Sequence, residues 1–148
     1  MLEYSCLTVA LVNVVPFVVG YITARYDNII SKIINTIVLV TMMIPIVGNL
    51  PAQIEMAQNL GIYNTMLGAI IMQAHFLGMY YLLFYSLFKG MPKDYSEAAK
   101  IDGASNTKIM FRIMMPLAMG AFWSVFLLRF IFYWDDYSIP LVFLTSRP

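Results

Sequence analysis

A bundle of membrane-spanning α-helices is the fold class this sequence predicts, and three observations predict it. The first is composition: of 148 residues, 61% are hydrophobic and only 11% charged, with a mean hydropathy of +0.76. An average soluble domain is about 25% charged and 45–50% apolar. A globule of this size leaves roughly 30% of its unfolded surface exposed, more than so few polar side chains can cover. The second is the spacing of the 17 charges, which leaves uncharged runs of 21 residues after Glu3, 22 after Lys32, 33 after Glu55 and 16 after Arg112. About 20 apolar residues cross the ~30 Å hydrocarbon layer, and a backbone in lipid must satisfy its own polar groups, which makes such runs helices. The third is where the cations fall: every link between these runs is either rich in Lys and Arg or has none. A soluble enzyme, a disordered tail and a nucleic-acid binder are excluded, and a net charge of +1 points to no strongly charged partner.

The elements follow in order. Span one covers residues 4–24 and holds Pro16, whose freed backbone group a neighbouring helix can satisfy in a membrane. It is a retained span, because Glu3 stands where a secretion signal carries positive charge and no small-x-small cleavage site follows. The single cysteine, Cys6, excludes an internal disulfide and reads as a small packed hydrophobe. Span two covers 33–47, with Pro45 near its end. Residues 49–64 read as a loop, from Pro51, Glu55, Gly61, Gln53 and Gln58. Span three covers 65–88 and span four 117–133. Arg25 and Lys32 flank the first link, Lys89, Lys93, Lys100, Lys108 and Arg112 fill the third, and the second has no cation. The positive-inside rule then puts both basic links in the cytoplasm and 49–64 outside.

Residues 89–112 gather eight of the 17 charges, and their pattern is helical. Pro92 suits a first helical position, with Asp94 and Glu97 at the end that favours anions. Tyr95, Ala98, Ala99 and Ile101 form an apolar stripe, and Gly103 stands where a helix stops. Ser105 or Asn106 can cap a second helix, with Ile109, Met110 and Ile113 on one face. Pro116 marks the passage into span four. A solvated linker and a docking element for a cytoplasmic partner both fit this pattern.

The wording of the loop separates them. Glu97-Ala98-Ala99, Gly103 after three residues, Ile113 after nine more, and Met115-Pro116 resemble the EAA signature of binding-protein-dependent ABC importer permeases, with Met115 in place of the signature leucine. The stretch from Glu97 to Ser105, and Tyr133-Trp134-Asp135-Asp136-Tyr137 with Pro140-Leu141, are similar to the carbohydrate, maltose-type branch. The likeness covers about residues 4–144. It implies the type I importer permease fold: one transmembrane domain over 1–148 with four to five spans and a cytoplasmic coupling loop over 89–116. It also implies a bacterial or archaeal plasma membrane.

The implied coupling residues are Glu97, Ala98, Ala99 and Gly103, with Ile113 and Pro116 setting the exit into the span. The implied partners are a dimer of ABC ATPase subunits, a second permease subunit, an extracytoplasmic solute-binding protein and a sugar. ATP and magnesium belong to the ATPase, since Gly103 to Lys108 lacks the second glycine of a P-loop and this chain itself needs no cofactor. Such permeases usually have six spans, so the chain reads as about half of one.

Polar residues inside the spans are the candidates for a substrate pathway. Arg129 reads either as a functional residue, with Asp135 or Asp136 as partner, or as an arginine snorkelling to the outer surface. His75 reads as a ligand or as a hydrogen-bonded packing residue. Trp134, with Tyr133 and Tyr137, reads as an interfacial belt or as a sugar-stacking platform. The rival functions are an ion-gradient carrier with Arg129, His75 and Asp135 as relay, a permease for a non-sugar solute such as a polyamine, and a membrane enzyme or inert anchor. An enzyme would need a converging set of titratable groups, which three scattered residues do not make, and no metal site is indicated.

Overall fold

In a computed structural model of the chain, residues 2–44, 48–74 and 77–136 are described, with side chains from residue 6 onward and without that of residue 73. They fold entirely into helices and connections, with no strand among the described residues. Helix α1 (Leu2–Arg25) is about 36 Å long at 1.5 Å per residue, enough to cross a bilayer by itself. It is the axis of the bundle, packed mainly against α5 (Met79–Gly90) and next against α9 (Met119–Asp135). Phe17 is the keystone: its ring lies 5.1 Å from Phe84 and 5.3 Å from Phe88 of α5, and 4.9 Å from Phe122 of α9. Gly20 permits this closeness, because a Cβ there would stand 3.0 Å from Phe84 Cβ and 3.1 Å from the Tyr85 nitrogen.

Helix α2 (Ile29–Met43) begins four residues before the expected span, because Lys32 does not interrupt it: its ammonium reaches Asp27 at 3.4 Å. Its 15 residues measure about 22 Å, short of the hydrocarbon thickness. The buried Tyr81 hydroxyl joins three helices, 2.8 Å from Thr23 Oγ1 of α1 and 2.5 Å from Asn35 Oδ1 of α2. Pro45 lies outside the described residues.

The expected loop at 49–64 is largely a helix, α3 (Leu50–Asn59). Pro51 sits in its first turn, where no N–H is needed, and Gly61 (φ +68°) closes it. Of the five residues that suggested a loop, Pro51 and Gly61 are a helix's start and stop, and Gln53, Glu55 and Gln58 lie within it. Ala57 packs on Ala69 and Ile70 of α4 (Met66–Gln73). Span three starts where expected, with the Thr65 hydroxyl accepting from the Gly68 N–H at 3.0 Å. It is not one continuous helix, however: α4 ends at Gln73, with Ala74 off the helix, and α5 begins at Met79, with Gly78 off the helix.

Span four is a continuous helix, α9, that begins two residues later than expected and is entered through a bend. The chain runs through α6 (Asp94–Ile101), α7 (Asn106–Ile109), a π-turn (Met110–Met114) and α8 (Met115–Leu117) before α9. Pro116 lacks an N–H, and the wider π-turn just before it gives its ring room. At Ala118 the axis turns by 64° between 106–117 and α9. Of the four expected spans, α1 alone is an unbroken helix long and apolar enough among the described residues; the bent pair supplies a second if taken as one span. Cys6 faces outward from α1 instead of packing inside.

Candidate functional site

The charged segment is built as two short helices around a glycine bend. The first, α6, starts at Asp94, two residues after Pro92, with Lys93 at the N-cap position. Its end is a full Schellman motif: the Gly103 N–H donates to Lys100 O at 3.0 Å and the Ala104 N–H to Ala99 O at 2.9 Å, with Gly103 at φ +76°. The second starts at Ser105, whose hydroxyl accepts from the Lys108 N–H at 3.3 Å.

The apolar stripe of α6 divides between two faces. Ala99 is buried against the core that holds Phe88, Ile109, Met114 and Met115, and Ala104 and Ile113 pack on it. Tyr95 and Ile101 point away from this chain, 51% and 87% exposed, and Ala98 and Glu97 are exposed with them. Spaced at i, i+3 and i+6, Tyr95, Ala98 and Ile101 lie along one side of the helix. Pro116 is exposed where the segment leaves for α9.

Both basic links lie at the same end of the bundle, as the cation pattern requires. Arg25 reaches from α1 to donate to Met91 O at 3.2 Å. A cavity of about 700 Å³ opens there, and Arg25, Lys32, Lys89, Lys93 and Lys100 line it with Asp27 and Glu97. Lys89 itself belongs to α5, so the segment between the spans begins after Gly90.

Of the described candidates within the spans, Arg129 and Tyr133 are brought together, and Tyr133 is buried and so is no part of an interfacial belt, while Trp134 and Asp135 line a separate cleft. Arg129 does not snorkel: it is 4% exposed, donates to the Val12 carbonyl of α1 and lies 4.1 Å from the centre of the Tyr80 ring. Asp135 is exposed, at the last residue of α9. Trp134 is half exposed, stacks on Phe130 at 5.8 Å, and shares a shallow cleft of about 270 Å³ with Asp135. His75 and Tyr137 lie outside the described residues. One polar contact has no sequence signal: the buried Asn13 amide of α1 donates to Phe122 O of α9 at 3.2 Å, 109 residues away.

Residues 17–148 match the family model described as the binding-protein-dependent transport system inner membrane component. The chain belongs to this family. Among relatives of this permease family, the chain is 30% identical over 140 residues to a probable ABC transporter permease protein of Pyrococcus horikoshii, covering 90% of this chain and 50% of the relative. It is 28% identical to a diacetylchitobiose uptake system permease protein of Streptomyces coelicolor, over 86% of this chain and 43% of the relative. It is 29% identical to an arabinooligosaccharides transport system permease protein of Bacillus subtilis, over 87% and 46%. The chain thus spans about half the length of the relatives it matches. Family membership makes it a multi-pass inner-membrane permease component.

Proposed function

We propose that this chain forms part of the translocation pathway of an ATP-driven ABC importer for sugars or oligosaccharides, and that α6 couples it to a separate ATPase subunit. The observation that carries the reading is the outward face of α6. Tyr95, Ala98 and Ile101 expose apolar surface on a helix whose other exposed residues are charged or polar, at the end of the bundle where the basic links meet. Exposed apolar surface rimmed by charge is characteristic of protein contact. Ala98 lets a partner backbone come close, and Glu97 offers a charge at the rim. Ala99 and Gly103 hold the helix from behind. ATP and magnesium are handled by the partner, as a dimer, and a second permease subunit and a solute-binding protein complete the importer. The sugar class is supported by relatives named for diacetylchitobiose and arabinooligosaccharides.

The test is co-purification of the permease with the ATPase subunit of its transporter. Ile101→Asp and Tyr95→Asp each place a charge in the apolar face and are expected to weaken association at least 10-fold, while Leu127→Ser, exposed on α9, leaves it unchanged. Normal association and normal stimulation of ATP hydrolysis by both α6 variants would remove the coupling assignment. A ligand screen on the solute-binding protein decides the substrate class.

A further inference from the structure

Helix α1 runs unbroken through Pro16, which is fully buried. Proline has no N–H, so the carbonyl four residues before it loses its helical donor. That carbonyl belongs to Val12, which is 0% exposed and out of reach of water. The Arg129 guanidinium, 117 residues away on α9, donates to this same oxygen. The orphan acceptor and the buried cation therefore satisfy each other, and the Tyr80 ring of α5 covers the guanidinium at 4.1 Å. Arginine suits the place because its rigid fork still has donors left after one is used.

We infer that Arg129 is a positioning residue, which caps the carbonyl that Pro16 frees in α1 and so fixes where α9 sits along α1. Pro16 creates the acceptor and Arg129 fills it, with Tyr80 and Tyr133 as the other neighbours of its guanidinium. At 4% exposure Arg129 offers little surface to a transported solute. Its effect on transport is on the rate at which the helices reach their working arrangement. This inference rests on the proposed transport function only for its second readout.

The test is a double-substitution cycle in the assembled transporter, reconstituted in nanodiscs and followed first by its half-life at a fixed elevated temperature. Arg129→Leu is expected to shorten the half-life at least 10-fold. Pro16→Ala returns a backbone N–H to the helix, which gives the Val12 carbonyl a local donor, and is expected to cost less than threefold. In the Pro16→Ala background, Arg129→Leu is then expected to cost less than threefold, and Arg129→Lys in the natural background restores stability to within threefold. Equal losses from Arg129→Leu in both backgrounds would overturn the pairing. If Arg129→Leu alone yields no folded protein, the double variant must recover it, and failure to recover also overturns the pairing. In the second readout, uptake by Arg129→Lys should keep its half-saturating sugar concentration within twofold while its maximal rate falls. A 10-fold rise in that concentration at unchanged maximal rate would assign Arg129 to the solute instead. Absence of ATP-driven sugar uptake by the unaltered transporter would refute the proposed function and leave the stability cycle standing.

Discussion

Substituting Gly103 isolates a single physical effect. Its φ is +76°, and an added Cβ would meet no atom within 4 Å, so the cost of a side chain is conformational and owes nothing to collision. For alanine the left-handed region costs about 1–2 kcal/mol. Asparagine visits that region readily and should cost less, whereas valine, branched at Cβ, should cost more than alanine. The order Asn, Ala, Val is therefore expected for the loss of the α6 terminus. A penalty of 1–2 kcal/mol changes an opening equilibrium about 5–30-fold. Hydrogen exchange at the Ala104 amide, which donates to Ala99 O, should quicken by that factor in Gly103→Ala after correction for intrinsic rates. Coupling to the ATPase should fall in the same order. Exchange in Gly103→Val no faster than in Gly103→Asn would show that the terminus does not depend on the left-handed residue, and the reasoning would fail.

Three further outcomes follow from packing. Gly20→Leu should destabilise the α1–α5 pair by about 1–3 kcal/mol through overpacking, with Gly20→Ala milder; thermal unfolding in detergent checks this, and equal stability of the Leu variant would contradict the close approach. Asn13→Leu should change stability by less than about 1 kcal/mol, because it removes both the bond to Phe122 O and the buried Oδ1 that has no partner. A loss comparable to that of Arg129→Leu would mean that Asn13 also pins α9. Ala99→Leu should cost about 1–3 kcal/mol in the same unfolding assay, whereas Ala98→Leu, exposed beside it, should leave unfolding unchanged and weaken ATPase association. Reversed effects at 98 and 99 would invert the faces assigned to α6.

Local chemistry was legible in the sequence wherever one residue's backbone preference decides the outcome. Gly103 as a stop, Ser105 as a cap and Thr65 as a helix start all follow from groups within four residues of one another. The error at 49–64 has the same origin. Pro51 and Gly61 do interrupt a chain, but whether they flank a loop or a helix depends on what lies between, and Ala57 finds its partners on α4. Burial of Arg129 was beyond reach for a different reason. The acceptor that holds it is 117 residues away, and hydropathy treats an arginine near a span end as a snorkelling one. Pro16 already marked Val12 as an acceptor in search of a donor, although nothing local indicated which side chain would supply it. The interruption between Gln73 and Met79 was hidden by composition, since a bent apolar run counts the same as a straight one, whereas Pro116 did mark the turn into α9.

The stop that ends α6 also ends α3, where the Gly61 and Ile62 N–H groups donate to Gln58 O and Ala57 O at 3.0 Å, just as Gly103 and Ala104 donate to Lys100 O and Ala99 O. In both, an inward alanine stands four residues before a left-handed glycine. The residues of the proposed coupling signature consequently answer to two different masters. Ala99 and Gly103 answer to this chain's own fold, as Ala57 and Gly61 do at the other helix. The side chains of Glu97 and Ala98 are exposed and take no part in the stop. In a suppressor screen, damage at 97 or 98 should be repairable by a second change in another protein. Damage at 99 or 103 should be repairable only from within this one.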